Sequence, residues 1–359
     1  MINVGLLFGG ESLEHEVSIV SAKSIAKHLD PNLFKMTPIG IARNGVWVLL
    51  GDPFARLTEG EFPKKSDYPF LPLEKGAESA ELPDIIFNII HGAGGEDGQI
   101  QGYLEVLKIP CTGAGRLATA IAMDKWMAKR VWESEGLPVT PFKAISEESW
   151  KKNQPGFINQ CLALGLPLFV KPANTGSSIG IEKVKEAMEL KKAIENAFIY
   201  DRRVLIEKSL DAREIEVAVL GGDDTVVSVP GEVLVAGEFY DFADKYLDGK
   251  SKTCVPAELD TDTTQKIMTM ARKAFLSLDG YGLARVDFFV ERETGQIFIN
   301  EINTIPGFTS ISMFPKLLEF AGIPYRDQLT RIIELAIARH KQMASKQIAF
   351  QSKSDWFQS

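Results

Sequence analysis

The chain has 359 residues, which is too long for one simple core and predicts about two to three domains packed together. Its hydrophobic content of 45% and charged content of 25% are those of an ordinary globular protein. The net charge of −8, without a dense Lys/Arg block, argues against a nucleic-acid partner, and no apolar run approaches the roughly 20 residues that span a membrane.

Residues 1 to about 112 alternate apolar runs with amphipathic helical patterns, which is typical of an open, largely parallel α/β sheet. The predicted strands are 3–8, 34–42 and 84–90, and a helix is predicted at about 15–29. The first strand begins the chain without a basic leader, so we do not interpret it as a signal peptide. Ligands gather at the carboxyl ends of such strands, which makes the loops that follow the first and last of them candidate binding loops.

From about 113 to 206 the sequence predicts a long helical stretch around Met123-Asp124-Lys125 and a helix near 147–164, followed by the strand Leu168–Lys171. That strand runs into the glycine-serine loop, Pro172–Gly180, whose backbone N–H groups and two hydroxyls suit phosphate oxygens. Lys125 and Lys171 flank this loop with compact positive charge. Taken alone, the loop can equally be interpreted as a flexible hairpin tip.

The remainder is rich in strands, and 285–290 and 297–303 alternate as a hairpin around a turn at Glu293-Thr294-Gly295. A three-residue loop sets Asp287 opposite Glu301 and Arg285 opposite Asn303, whereas a two-residue loop separates the carboxylates. Two carboxylates and an amide oxygen on rigid strands suit a hard cation such as Mg²⁺ that carries nucleotide phosphates. The alternative is an exposed hairpin face with ordinary salt bridges.

Cysteine and histidine spacing excludes other site classes. The three cysteines form no C-x-x-C pair and the four histidines no H-x-x-x-H pair, which disfavours a disulfide framework and a zinc site and favours the reduced cytoplasm.

Gly249-Lys250-Ser251 ends like a Walker A loop, but Asp244 occupies the leading glycine position. Gly113–Ala118 matches G-x-G-x-x-A and supports an alternative hypothesis, a nicotinamide-dependent dehydrogenase.

Taken together, the motifs resemble the D-alanine–D-alanine ligases, members of the ATP-grasp superfamily. The resemblance rests on ordered segments along nearly the whole chain: 9–18, 91–102, 123–125, 171–180, 245–246, 285–287 and 300–309. It implies a three-domain ATP-grasp architecture of class α/β. The implied domains are an N-terminal α/β substrate-binding domain (1–113), a central lid domain (114–206) and a C-terminal domain with the metal and catalytic residues (207–359).

The resemblance also implies the activity, which is the ATP-dependent joining of two D-alanine molecules through a D-alanyl phosphate, for peptidoglycan synthesis. The implied cofactors are ATP and two Mg²⁺ or Mn²⁺, and the implied assembly is a cytoplasmic homodimer. Tyr246, in Lys245-Tyr246, favours the amide-forming type over relatives that make a D-alanyl-D-lactate ester. Ser209 departs from the aromatic residue that many relatives carry near the adenine.

Residue roles follow from the same resemblance. Asp287, Glu301 and Asn303 would bind the metal ions, and Arg285 would stabilise the oxyanion of the tetrahedral intermediate. The residues expected to hold ATP are Lys125, Lys171, Ser177, Ser178, Glu207, Lys208, Leu210, Glu214, Lys245, Asn300 and Glu301. The residues expected around the two D-alanines are Glu14, His91, Arg285, Gly307, Ser312 and Met313, with Glu14 taking the first ammonium and Ser312 the second carboxylate. Ser177 and Tyr246 would link the glycine-serine loop to a lid loop within 237–254, which excludes water from the acyl phosphate.

Two further alternatives stay open at this point. A ligase of the same superfamily with another acceptor, such as D-lactate, would keep the ATP site. A non-catalytic ATP-binding sensor would keep it too, although the complete set of lysines, arginine and carboxylates argues against this hypothesis.

Overall fold

The computed structural model describes residues 1–49, 52–59, 83–234, 252–309 and 311–346. Lys245, Tyr246 and the Walker-like segment therefore lie outside the described residues. The helices are α1 His15–His28, α2 Pro53–Glu59, α3 Gln99–Val106, α4 Arg116–Met123, α5 Lys125–Ser134, α6 Glu147–Lys152, α7 Gln154–Leu162, α8 Leu190–Ala197, α9 Thr261–Leu276, α10 Met313–Phe320 and α11 Tyr325–Ala344. The strands are β1 Ile2–Gly9, β2 Phe34–Ile41, β3 Trp47–Val48, β4 Ile85–Asn88, β5 Phe142–Ser146, β6 Leu168–Pro172, β7 Glu182–Val184, β8 Arg203–Lys208, β9 Ala212–Gly221, β10 Val226–Val227, β11 Gly231–Leu234, β12 Lys252–Cys254, β13 Gly282–Glu291 and β14 Ile297–Asn303.

The first sheet has the strand order β3-β2-β1-β4, in which β1 pairs in parallel with β2 and β4. Parallel neighbours need a crossover, and α1 provides it between β1 and β2. The strands carry continuous apolar runs such as Leu6-Leu7-Phe8, which are fully buried because both faces of the sheet are covered. β1 ends at Gly9 in a left-handed conformation (φ 92°), where a Cβ would lie 2.2 Å from the Ile41 carbonyl oxygen, so only glycine fits.

The second sheet, β5-β8-β6-β7, is antiparallel and packs against α6, α7 and α8 around Trp150, Phe157 and Ile194. The single helix predicted near 147–164 is wrong, because it is divided in two. Asn153 accepts a hydrogen bond from the Gly156 N–H at 3.0 Å and begins α7. Pro155 in the first turn of α7 has no N–H to continue α6, so a new helix starts there.

The long helical stretch around Met123 is also two helices. Asp124 is extended (ψ 97°) between α4 and α5, and its carboxylate accepts from the Met127 N–H at 3.0 Å. An aspartate in this position satisfies one of the unpaired donors of the first turn, so it both ends α4 and begins α5. The break places Lys125 at the very start of α5.

The third sheet has the order β12-β11-β9-β13-β14, with β10 beside β9, and is antiparallel throughout. Side chains alternate between its faces. Val217 and Val286 pack with α9, α4 and α5 on one face, whereas Leu220 and Leu283 pack with α10 and α11 on the other. Arg285 and Asp287 lie on that second face, beyond the part that α10 and α11 cover. A polar cleft therefore forms where the apolar packing ends.

None of the helices in the described part of the chain is long and apolar enough to cross a bilayer. The three cysteines, Cys111, Cys161 and Cys254, are all free thiols. The domain boundaries at 113 and 206 remain predictions.

Candidate active site

The hairpin of β13 and β14 places the predicted metal carboxylates opposite each other. Asp287 pairs with Glu301 and Arg285 with Asn303, as the alternating pattern predicts. The three-residue loop behind that prediction is wrong. The Glu291 N–H donates to the Gln296 carbonyl at 2.9 Å, so the loop has four residues, Arg292–Gly295.

A β-bulge reconciles the longer loop with the predicted pairing. Next to the loop Phe288 pairs with Ile299, and the register shifts by one residue between Asp287 and Phe288, where Asn300 is the extra residue. Without the bulge, Asn300 would stand opposite Asp287 and Glu301 would point to the other face. The bulge therefore brings Glu301 onto the same face as Asp287.

A cleft of about 710 Å³ lies between the second and third sheets and the glycine-serine loop. It brings together nearly all the residues that the resemblance assigned to ATP, although they come from five elements and two loops. The residues of that set that line it are Lys125, Lys171, Ser177, Ser178, Glu207, Lys208, Leu210, Glu214, Asn300 and Glu301, and Arg285 and Asp287 line it too.

Arg285 is held by two carboxylates at the floor of this cleft. Its Nε and Nη2 atoms donate to the two oxygens of Asp287, each at 2.7 Å, and Nε lies 3.2 Å from Glu216 Oε2. Burial alone would lower the pKa of Arg285, but Asp287 and Glu216 raise it well above its ordinary value. The guanidinium is thus permanently charged and fixed in orientation, as an electrostatic catalyst requires.

Glu216 was missed by the sequence reasoning. It lies on β9, two residues after Glu214, and pairs with Asp287 in the register of β9 and β13. The alternation of Glu214 and Glu216 was a detectable signal, but only the pairing of β9 with β13 places it against Arg285.

Lys125 connects the glycine-serine loop to the hairpin of β13 and β14. Its Nζ donates to the Thr175 carbonyl at 2.5 Å and lies 3.7 Å from Glu301 Oε2. Lys171, at the end of β6, donates to Glu207 Oε2 at 2.5 Å. Lys125 and Lys171 line the same cleft as Asp287 and Glu301, which puts positive and negative groups around one space.

Glu207 is buried between two lysines. Lys129 Nζ lies 2.8 Å from Glu207 Oε1, while Lys171 holds the other oxygen. Burial would raise the pKa of Glu207, but the two ammonium groups lower it to about 2. Lys129 was not predicted from the sequence, although its position one turn after Lys125 on α5 was a usable signal.

The glycine-serine loop carries Ser177 and Ser178 in left-handed conformations, with φ of 48° and 60°. Such values are uncommon for residues with a Cβ and are typical of binding loops. Ser177 Oγ donates to Glu14 Oε1, which ties this loop to the loop after β1. The predicted partner Tyr246 lies outside the described residues.

His91 is buried next to Glu14 and to the segment after β14. Its Nδ1 lies 3.0 Å from the Ile305 carbonyl oxygen and 3.5 Å from Glu96 Oε1, and Nε2 lies 3.1 Å from Ser21 Oγ. Burial alone would lower the pKa of His91, but Glu96 and Glu14 raise it above its ordinary value. Glu96, which the sequence reasoning did not assign, thereby fixes the imidazole.

Met313 is the first residue of α10, Ser312 immediately precedes it, and Gly307 lies in the segment that leads to them. Ser312 Oγ accepts from the Thr309 N–H at 3.0 Å, and a Cβ at Gly307 would lie 2.7 Å from that oxygen. Met313 begins the helix, where backbone N–H groups have no partner within the helix and favour an anion. These residues do not line the 710 Å³ cleft, and the Ile305 carbonyl connects their segment to His91.

The predicted metal ligands fit a hard cation in donor type. Asp287, Glu301 and Asn303 offer oxygen ligands, and the Asn303 Nδ2 atom donates to Asp287 Oδ2 at 2.9 Å. Within the described ranges no group of three or more His, Cys, Asp or Glu side chains forms a metal site. Two carboxylates and an amide leave positions for phosphate oxygens and water, which Mg²⁺ usually retains.

Comparison with known families agrees with this geometry. Residues 3–114 match the family model described as D-ala D-ala ligase N-terminus, and residues 131–334 match D-ala D-ala ligase C-terminus. The chain is 42% identical over 354 residues to a D-alanine–D-alanine ligase from Caldicellulosiruptor bescii, covering 96% of this chain and 97% of the relative. It is 43% identical over 355 residues to one from Natranaerobius thermophilus, covering 95% and 96%.

Solved structures extend the agreement to the fold. The D-alanine-D-alanine ligase from Coxiella burnetii superposes with a TM-score of 0.81 at 34% identity, covering 96% of this chain and 97% of that one. VanG D-Ala:D-Ser ligase from Enterococcus faecalis gives a TM-score of 0.81 at 33% identity, covering 93% and 99%. The predicted ATP-grasp architecture is confirmed, and the dehydrogenase hypothesis finds no support. The chain belongs to the D-alanine–D-alanine ligase family.

Proposed function

We propose that the protein joins two D-alanine molecules into D-alanyl-D-alanine, with cleavage of ATP to ADP and phosphate, as a step of peptidoglycan synthesis. The observation that carries this proposal is that Arg285, Asp287 and Glu301 lie on one face of the hairpin and line a single cleft together with Lys125 and Lys171. Phosphoryl transfer needs charge neutralisation and positioning more than covalent help from the protein, and this arrangement provides both.

ATP binds in the 710 Å³ cleft. The segment from Glu207 to Glu214 forms the adenosine end, and Lys125, Lys171 and the glycine-serine loop hold the phosphates, with Lys245 as a further phosphate ligand outside the described residues. Asp287, Glu301 and Asn303 would hold two Mg²⁺ or Mn²⁺, which when bound neutralise phosphate charge during transfer. The oxygen-only donor set supports a hard cation.

The reaction has two steps. In the first, a carboxylate oxygen of one D-alanine attacks the γ-phosphorus of ATP, the bond to the β–γ bridging oxygen breaks, and ADP leaves an acyl phosphate. In the second, the amine of the other D-alanine attacks the carbonyl carbon. The C–N bond forms, the amine loses a proton, and the C–O bond to phosphate breaks. Arg285 donates hydrogen bonds to the oxyanion that develops between these events.

The two amino acids occupy the far side of Arg285 from the adenosine end. Glu14 accepts the ammonium of the first D-alanine beside His91, and its hydrogen bond from Ser177 couples this subsite to the glycine-serine loop. Ser312 and the Met313 N–H receive the second carboxylate at the start of α10, where the helix dipole favours an anion.

The test is phosphate release by the purified protein with D-alanine, ATP and Mg²⁺. We expect release that requires all three components and stops when EDTA removes the metal. A parallel reaction with L-alanine controls for stereochemistry, and a thermal-shift comparison of ATP–Mg²⁺ with NAD controls for nucleotide class, because a ligand of the folded state raises its apparent stability. No phosphate release with D-alanine present refutes the proposal.

A second acceptor is a specific alternative because VanG, described as a D-Ala:D-Ser ligase, shares the fold at 33% identity. Competition among D-alanine, D-serine and D-lactate as acceptors distinguishes the candidates. Tyr246 supports an amide-forming reaction, so we expect D-alanine to be used in preference and D-lactate to be excluded.

We further propose that the protein acts in the cytoplasm as a homodimer. ATP is supplied there, and the three free thiols are compatible with a reducing compartment. Size-exclusion chromatography with light scattering tests the dimer directly.

A further inference from the structure

Lys129 is a buried cation that the reaction described above does not use. Its side chain is 1% exposed, on the same face of α5 as Lys125, and its Nζ lies 2.8 Å from Glu207 Oε1. Unlike Lys125 and Lys171, it does not line the cleft. A buried ammonium is destabilising unless a charge partner compensates for its desolvation, and Glu207 is that partner for Lys129. The question is what this buried pair contributes to the cleft beside it.

Glu207 is shared between Lys129 and Lys171. Lys171, which lines the cleft, donates to Glu207 Oε2 at 2.5 Å. A carboxylate paired with Lys171 alone would cancel the charge of that lysine. With Lys129 on the other oxygen, the group of three side chains has one net positive charge, and Lys171 presents it at the cleft.

We propose that Lys129 is a positioning residue for ATP: it offsets the charge of Glu207, so that Lys171 keeps its positive charge for the phosphates. This inference rests on the proposed ATP-dependent function. Burial lowers the pKa of Lys129, and the neighbouring carboxylate opposes that effect. The distance between the two charges and the low exposure of Glu207 keep solvent screening small.

The test compares two ligands that share adenosine but differ in charge. Calorimetry with Mg²⁺ gives the dissociation constants of ATP and of adenosine for the wild type, Lys129→Met and Lys129→Gln. In both variants the group of three side chains loses its net positive charge, so we expect ATP binding to weaken about tenfold or more relative to adenosine binding. The interaction energy of two charges a few ångströms apart in a protein interior is large enough to change a dissociation constant by that factor. Arg130→Met, which removes an exposed cation next to Lys129 on α5, should leave the ratio unchanged.

Lys129→Gln separates charge from contact, since its amide can still donate to Glu207. If Lys129 serves only to satisfy the carboxylate, Lys129→Gln behaves like the wild type, and the proposal is overturned. The double variant Lys129→Met/Glu207→Gln restores one net positive charge, and we expect it to recover most of the lost preference for ATP.

A double variant no better than Lys129→Met also overturns the inference. If Lys129→Met does not fold, Lys129→Gln and the double variant decide the outcome on the same two ligands. Wild-type protein that fails to bind ATP refutes the proposed function, whereas wild-type binding with an unchanged ratio in Lys129→Gln refutes only the role of Lys129.

Discussion

Replacement of Arg285 by alanine is expected to reduce turnover strongly while ATP affinity changes little. The guanidinium donates to both oxygens of Asp287 and lies 3.2 Å from Glu216, so it is preorganised on the hairpin before any substrate binds. Loss of one preorganised oxyanion donor typically lowers kcat by about 10²- to 10³-fold, or roughly 3–4 kcal/mol of activation free energy. We expect an effect of this size, because Arg285 provides the cationic donor on this face of the hairpin.

The same change also lowers the free energy of unfolding. It leaves Asp287 and Glu216 without their shared cation, and breaking a buried ion pair costs about 3–5 kcal/mol. The Arg285 side chain is 17% exposed and borders a cleft that water enters, so we expect the lower end of that range. Arg285→Lys should retain part of the stability but not the turnover, since a lysine cannot reproduce the planar fork.

The assay is steady-state phosphate release, with calorimetric ATP binding and urea unfolding on the same preparations. Arg272→Ala, which removes an exposed arginine on α9, is the matched control and should leave all three measurements near those of the wild type. Equal losses of kcat and ATP affinity in Arg285→Ala would show that Arg285 binds nucleotide and does not act in the chemical step.

Three further predictions address other parts of the site. The pKa of Glu207 is lowered to about 2 from 4.5, so its contribution to stability, up to about 3 kcal/mol, is present above pH 4.5 and lost as the pH falls toward 2. Urea unfolding at pH 6, 4 and 3 should show this loss in the wild type but not in Glu207→Gln. The same dependence of the unfolding free energy on pH in both proteins would contradict the prediction. Gly307→Ala places a Cβ 2.7 Å from Ser312 Oγ, so the KM of the second D-alanine should rise about tenfold while ATP binding is unchanged. Ser177→Ala removes the hydrogen bond to Glu14 and should raise the KM of the first D-alanine about threefold to tenfold, whereas a change confined to ATP would contradict that assignment.

The hairpin of β13 and β14 shows how much of the site can be predicted from the local sequence pattern. Alternation along 285–290 and 297–303 predicted the strands and the pairing of Asp287 with Glu301, and the structure has both. The loop length inferred from Gly295 was wrong by one residue, because nothing in the local pattern marks Asn300 as the bulged residue. The predicted pairing is correct because the bulge at Asn300 offsets the extra loop residue, and only the structure shows that bulge.

The sequence by itself determined three of the four strands of the first sheet (β1, β2 and β4, but not β3), the glycine-serine loop and the ordered motifs that carry the family resemblance, because each depends on residues near one another along the chain. The tertiary structure alone decided the partners of the site residues: Glu207 with Lys129, Ser177 with Glu14, and the His91 ring with the Ile305 carbonyl. Those pairs are 78, 163 and 214 residues apart along the chain. Periodicity carries information about the face of an element, whereas contacts at such separations depend on how whole sheets pack together.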